Sequence, residues 1–402
     1  MAGGVAARTF REDGYGGRLV LIGREPTPPF GRPPLSKTYL RGEESLSGWF
    51  VNPEDWYEKN RVDRVAATAA HVDIRARRVE LAGGNAVSYS RLLITTGGEN
   101  RRLDVPGAQL PGVFQLRTVA DCDAIKQAAL RGARALVVGM GFIGSEVAAS
   151  LTQLGVRVSA VLPGRAPLES VLGPEMGELM AGIHREAGVE LVTGDEVVRF
   201  EGARQIEQAV TRNGRRLECD LAVVAVGIRP SVAFLEGSGV ALDNGVSVDP
   251  SCRTNVPGIF AAGDLANHMH PLFGRIRVEH YNNAEKQGAA AARSVLGSAA
   301  SFAYVHTFWS DQYEHVIEYV GFTASWDRIV FRGRPESRTF LGFYLKDGIV
   351  RAAVGLDRGG DPEDPKGDSE LKAAVDMVRR RASIDPGKLA DESVDLRALA
   401  GS

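Results

Sequence analysis

The chain has 402 residues, of which 44% are hydrophobic and 24% charged, with a formal net charge of -2. That length exceeds what one ordinary core organises, so two or three domains are expected, and the near balance of charge gives no bias toward nucleic acid or an anionic membrane surface. The longest apolar runs, such as 221–228, fall far short of the roughly 20 residues that span a bilayer, and the three cysteines, Cys122, Cys219 and Cys252, are too widely spaced to read as a disulfide framework, a CxxC pair or a thiolate metal cage, which points to a reducing, cytoplasmic setting.

In chain order, the first readable pieces are Gly3, a helix-forming stretch from Val5 to Arg11, and an apolar strand from Leu19 to Ile22 that runs on to Glu25. An acid in that place holds ribose hydroxyls or is simply an exposed turn glutamate. The stretch Pro28 to Leu40 contains Arg32-Pro33-Pro34-Leu35-Ser36-Lys37 and no cysteine. Leu92-Leu93-Ile94-Thr95-Thr96-Gly97 reads as an apolar strand closed by small residues, where a bulky cofactor can approach the backbone. The same form recurs at Thr254-Asn255-Val256-Pro257-Gly258-Ile259-Phe260-Ala261-Ala262-Gly263-Asp264, where Asp264 can accept hydrogen bonds from sugar or ribityl hydroxyls; an ordinary Gly-Asp turn is the alternative.

The sharpest signal is a strand, a GxGxxG turn and a helix in one segment. Ala135 to Val138 are apolar, Gly139-Met140-Gly141-Phe142-Ile143-Gly144 follow, and Val147, Ala148, Leu151 and Leu154 then recur at helical spacing up to Gly155. Gly139 permits the tight turn, Gly141 lets a pyrophosphate approach, Gly144 lets helix and strand pack, and the helix N-terminus offers amide donors. A second strand, Arg157 to Leu162, completes the unit but leads into Pro163-Gly164-Arg165 with no acid at its end, so Arg165 tilts the nucleotide choice slightly toward a 2'-phosphate, a solvated arginine being the alternative.

Strands and helices alternate from Arg18 through Val192, which favours parallel sheets and an α/β class. The polar turn 211–215 predicts a hairpin, followed by an apolar strand from Leu221 to Val226. From Phe302 the texture changes: strands are expected at 316–322, 328–331, 339–345 and 349–355, then a helix from Glu370 to Arg381, as in a separate α+β domain. The acidic, proline-bearing stretch 358–368 is expected to be a solvated loop rather than a calcium site.

Taken together, Arg32 to Lys37, Thr96-Gly97, the GxGxxG with Glu146, Gly227-Ile228-Arg229-Pro230, the Thr254 to Asp264 motif, Glu279-His280-Tyr281 and Phe308-Trp309-Ser310-Asp311-Gln312 give a chain that resembles, over essentially its whole length, the FAD-dependent pyridine nucleotide reductases of the ferredoxin and rubredoxin reductase type, related to apoptosis-inducing factor. The resemblance implies two Rossmann-like nucleotide-binding domains, for FAD (1–112 and 246–320) and for NADH or NADPH (113–245), and a C-terminal α+β domain (321–402). It implies that Glu146 reaches the nicotinamide and the flavin edge with Lys37 as its ionic partner, and that Gly3, Glu25, Arg32, Thr96, Gly97, Gly227, Gly263, Asp264, Glu279, His280, Tyr281 and Trp309 serve the cofactors. Disulfide reductases of this superfamily carry a flavin-facing cysteine that 28–40 lacks, so electrons are expected to leave one at a time to a small iron-sulfur protein, a ferredoxin or rubredoxin serving an oxygenase or cytochrome.

One departure stands out. Family members open with a strand and their own GxGxxG, of which only Gly3 and the following helix are found here, so weak FAD retention is expected, as from a truncated gene product. A nucleotide-switched binding protein like apoptosis-inducing factor, or an inactive fragment, are the competing readings. No nucleic acid, membrane or metal partner is expected, and a monomer and a homodimer are equally compatible with the sequence.

Overall fold

The computed structural model describes residues 1–131, 134–364, 367 and 369–401. These divide into two compact units, one formed by 1–32, 46–99 and 229–306, the other by 33–45, 100–228 and 307–402. Of the acidic stretch expected to be a loop, Pro365, Lys366 and Asp368 lie outside the described residues.

In the first unit the helix Ala2–Glu12 is buried around most of its circumference, with Val5, Ala6, Ala7 and Phe10 all below a tenth exposed. Ala6 and Phe10 pack with Phe260, Ala292 and Val295, which places the helix against the long helix Tyr281–Val295. That approach is close enough to require glycine: a Cβ on Gly288 would stand 2.5 Å from the Ala2 carbonyl oxygen. Strand Leu19–Gly23 pairs in parallel with Val62–Ala66, and Leu92–Ile94 in parallel with Ile259–Ala261. Each of these sheets has two strands among the described residues. A three-stranded antiparallel sheet (Ala69–Asp73, Arg78–Leu81, Ala86–Ser88) and a mixed one (Val246–Val248, Ala266–His270, Gly274–Ile276) enclose an apolar core that includes Val72, Ile94, Leu235, Val246 and Leu265.

The second unit contains a five-stranded parallel sheet, ordered Glu190–Thr193, Arg157–Leu162, Arg134–Val138, Leu221–Val224, Val113–Phe114. Its middle strand is buried at 135–138 on both faces, which is why it reads as an unbroken apolar run rather than an alternating one. The expected hairpin is present as Gln208–Thr211 and Arg216–Glu218.

The carboxyl-terminal sheet is antiparallel, ordered Thr307–Gln312, His315–Gly321, Ile349–Leu356, Thr339–Lys346, Arg328–Arg334. Helix Glu370–Arg380 packs on it. The buried guanidinium of Arg332 binds Glu370 and the carbonyls of Leu389, Asp391, Glu392 and Val394, so one side chain fixes the chain's last turns to the sheet. Phe308, Tyr319, Phe340 and Tyr344 form an aromatic core with Leu172, Met176 and Met180.

Candidate active site

In the second unit the middle strand ends at Val138 and Gly139 turns with φ +91°. A Cβ there would stand 2.6 Å from the Ala225 carbonyl oxygen, and one on Gly144 would stand 1.9 Å from that of Gly139. These two glycines are therefore demanded by the protein's own backbone. Gly141 is different: a Cβ on it would meet nothing within 4 Å, so its bareness leaves room in front of the helix Phe142–Gln153. Among the described residues no side chain caps that helix, and its first amides are left to a ligand or to water.

Glu146 lies on the buried face of this helix, 3% exposed. Lys37 Nζ is 2.8 Å from its Oε1. Ser310 Oγ donates to the same oxygen at 2.7 Å, and Ser36 Oγ donates to Oε2. A buried ion pair survives only when its remaining lone pairs are met, and the two hydroxyls meet them.

The segment carrying Ser36 and Lys37 is held from two sides. Ser150 Oγ donates to the Ser36 carbonyl at 2.7 Å and Cys122 Sγ to that of Leu35 at 3.1 Å, while Tyr39 bonds Asp123 at 2.9 Å. Burial pushes the thiols of Cys122, Cys219 and Cys252 up to about 12, so all three are protonated and inert at neutral pH.

Trp309 is half-buried and sits opposite Glu318 in the strand register. Burial, then the charges of Asp361 and Asp311, raise Glu318 to about 7, and burial also raises Asp311. Gly227 turns with φ +93° and its carbonyl accepts from the Arg101 amide. The Arg165 guanidinium binds Glu169, four residues further along, at 2.6 and 2.9 Å.

The first unit holds a cavity of about 390 Å³, whose lining includes Gly3, Gly4, Glu25, Thr27, Arg32 and Thr95. A Cβ on Gly3 would stand 2.7 Å from Thr95 Oγ1, and one on Gly4 2.6 Å from the Pro29 ring. Glu25 and Arg32 form a two-pronged ion pair at its wall, with the guanidinium also 5.0 Å over the Phe30 ring. Thr27 Oγ1 is buried here and meets no hydrogen-bond partner among the described residues.

Thr96 is turned elsewhere, its hydroxyl donating to the Ser231 carbonyl at 2.8 Å, and the Gly97 carbonyl accepts from the Ser231 amide. Gly263 has φ +83° and donates its amide to Gln287. The Asp264 carbonyl accepts from Arg277, which also binds Glu279. Arg277 is thus committed inside its own unit, and Arg275 donates to the Asn267 carbonyl.

His280 precedes the helix Tyr281–Val295 and is lowered to about 4 by burial against the opposing charge of Asp264. Tyr281 lines a second cavity of about 320 Å³ with Trp49, its ring 6.1 Å away edge-on.

Sequence reading passed over Ser36, Ser310, Gln312, His184, Thr27, Thr95, Gly4 and Glu169. Ser310 and Gln312 lay within a quoted motif, and strand parity alone places them on the face opposite Trp309 and Asp311. His184 and Glu169 carried no signal, because their partners are distant in sequence or depend on a loop's path.

The family described as pyridine nucleotide-disulphide oxidoreductase matches residues 1–288, and one described as reductase C-terminal matches 307–400. The chain is 34% identical to a probable ferredoxin reductase, CtmF, of Castellaniella defragrans, covering 99% of this chain and 96% of that protein. It is also 34% identical to the ferredoxin reductase component of a chlorobenzene dioxygenase of a Cupriavidus species, covering 99% and 95%. Among solved structures, the covalent putidaredoxin reductase–putidaredoxin complex superposes with a TM-score of 0.93 at 29% identity, over 100% of this chain and 96% of the other.

Proposed function

This chain belongs to the pyridine nucleotide-disulphide oxidoreductase family, and from that premise we propose that it is an FAD-dependent NAD(P)H oxidoreductase passing electrons to a ferredoxin- or rubredoxin-type protein that serves an oxygenase or cytochrome. The observation that carries this reading is Glu146, buried one helical turn beyond a dinucleotide-type glycine turn and paired with Lys37 at 2.8 Å. The residues fit two adenine dinucleotides. The orphaned Thr27 hydroxyl, the uncapped first turn of Ala2–Glu12 and the Glu25–Arg32 pair suit one of them, and the open space at Gly141 with the uncapped helix behind it suits the other.

FAD, when bound, supplies an acceptor for the two electrons of a hydride and a donor of single electrons. Gly3, Glu25, Arg32, Thr96, Gly97, Gly263, Asp264, Glu279, His280 and Tyr281 are proposed to hold it, and Lys37 and Trp309 are proposed as cofactor residues of the second unit. Gly139, Gly141, Gly144 and Gly227 are proposed to receive the nicotinamide nucleotide, and Glu146 to orient its ring. Arg165 serves NADPH over NADH only to the extent that it leaves Glu169. With the three thiols protonated and buried, an external acceptor rather than an internal disulfide takes the electrons. The domain limits 1–112 with 246–320, 113–245 and 321–402, and a cytoplasmic location, belong to the same proposal.

The test is cytochrome c reduction by FAD-loaded protein with NADH or NADPH. Strong dependence on an added ferredoxin is the expected result. Reduction that proceeds equally well without one, or with no iron-sulfur protein of any type, rejects the reading.

A further inference from the structure

We propose that Ser310, Gln312 and His184 are positioning residues for Glu146, joined in a buried hydrogen-bonded chain whose donors all point toward that carboxylate. The chain lies wholly within the second unit. Ser310 Oγ donates to Glu146 Oε1 at 2.7 Å and Gln312 Nε2 to Ser310 Oγ at 3.2 Å; His184 Nε2 is 3.1 Å from Gln312 Oε1, and the Tyr313 hydroxyl is 2.9 Å from His184 Nδ1. Ser310, Gln312 and His184 are each 0% exposed, so these contacts replace water.

Counting protons fixes the direction. A carboxylate only accepts, so the single hydroxyl proton of Ser310 goes to Glu146. Ser310 must then receive the Gln312 amide N–H, which turns the Gln312 carbonyl toward His184. A carbonyl also only accepts, so the imidazole proton is on Nε2. Burial keeps that ring neutral, lowering it to about 4, and Nδ1 is left to accept from Tyr313. Aligned donors polarise one another, so the chain presents a fixed positive end to Glu146 Oε1. Lys37 meets the same oxygen and Ser36 the other, and together the three hold the carboxylate in one orientation.

This inference rests on the reading of Glu146 as the carboxylate that orients the nicotinamide, and two variants separate the two ideas. Gln312→Glu keeps the shape but replaces the N–H with an acceptor that draws the Ser310 proton away from Glu146. In stopped-flow reduction of FAD-loaded protein by NADH at pH 8, this variant is expected to lose about tenfold or more in the hydride-transfer rate constant with little change in KM. The rate should recover as pH falls, because the protonated carboxyl can donate to Ser310 again. Gln312→Leu should be slow at every pH. Lys37, Arg41, Asp311, Tyr313 and the His315–Asp357 pair also face this region, but they are common to both variants and cancel in the comparison.

A measurement independent of turnover is the tautomer of His184, read by 15N-histidine NMR on the protein without nucleotide. The Nε2–H form supports the chain; the Nδ1–H form overturns it even if no variant folds. A Gln312→Glu protein with the parent rate at every pH also overturns it. If Glu146→Gln leaves hydride transfer unchanged, the site reading falls instead, and the tautomer still decides whether the polarised chain exists.

Discussion

The helix Phe142–Gln153 springs from the middle strand of a five-stranded parallel sheet, whereas the helix Ala2–Glu12 packs over strands that, among the described residues, pair in twos. In the first case the glycine turn is locked by its own neighbours: Gly144 fits against Gly139, and Gly139 against Ala225. In the second, the bracing comes from far along the chain, from Gly288 beneath Ala2 and Gly263 beside it. A strand hydrogen-bonded on both edges opens only with its whole sheet, while one bonded on a single edge can open locally. The two proposed nucleotide sites thus have different mechanical support, and the first unit is expected to be the softer.

The harshest way to break the comparison is a methyl group. Gly144→Ala forces a Cβ to within 1.9 Å of the Gly139 carbonyl oxygen, in a turn held by the Gly139 amide on the Val161 carbonyl and by the Ala225 amide on the Val138 carbonyl, so a loss of roughly 3 kcal/mol or more is expected. Gly288→Ala meets the Ala2 backbone at 2.5 Å, but a helix laid over strands bonded on a single edge among the described residues can shift, and about 1–2 kcal/mol is expected. Thermal melting of the two variants checks the order. Equal losses would mean that the amino-terminal helix is as rigidly held as the other.

Acid separates the two units next. Burial lowers His268, His270, His280 and His306 in the first unit, and both ring nitrogens of His306 are buried without a hydrogen-bond partner among the described residues. In the second unit it lowers His184. A histidine whose folded value lies below its unfolded one contributes stability fully above the unfolded value, near 6.5, and loses it as pH falls toward about 4. Glu318, raised to about 7, acts in the opposite sense, since the folded state takes its proton first and gains as pH drops from about 7 toward 4.5. Hydrogen-exchange protection factors, in which the slowing of amide exchange itself in acid is divided out, should therefore fall from pH 7 to pH 5 more in 246–306 than in 134–224. The reverse order would show that the histidine rings find protons without cost.

Much of this was legible in the sequence. The central strand, the GxGxxG and the helix behind it could be read because all their constraints are local: three glycines, an apolar run and a 3.6-residue period. The carboxyl-terminal strands at 316–355 were legible for the same reason, each as a short patterned run between turns. What escaped was set by distance. Ser36 and Ser310 are 110 and 164 residues from the carboxylate they hold, and His184 reaches Gln312 across 128. Arg165 was legible as a cation but not as one already claimed, because Glu169 reaches it only through the path of the intervening turn.

A smaller effect tests the idea that Gly141 is bare for the sake of a ligand. Gly139 and Gly144 answer to the backbone, but a methyl on Gly141 projects into open space. Gly141→Ala should melt within about 0.5 kcal/mol of the parent while raising the KM for NADH about tenfold or more, since the added carbon occupies the approach to the helix amides. Full-strength NADH binding by this variant would place the nucleotide elsewhere.

The least disruptive change concerns nucleotide choice. The Arg165–Glu169 pair is four residues apart on an exposed surface, with the arginine side chain 84% accessible, and the arginine's hydrogen bonds hold the Glu169 carboxyl below its usual range. An exposed pair of this kind is weak, because solvent screens it, so releasing the arginine can shift the balance of the two nucleotides only a few-fold. Glu169→Gln should lower the KM for NADPH about two- to fivefold while leaving that for NADH unchanged, because only the 2'-phosphate gains a free guanidinium. An equal shift for both nucleotides would mean that Glu169 acts on the turn's shape. No shift for either would remove Arg165 from the nucleotide site and leave the glycine turn of the second unit to bind both nucleotides alike.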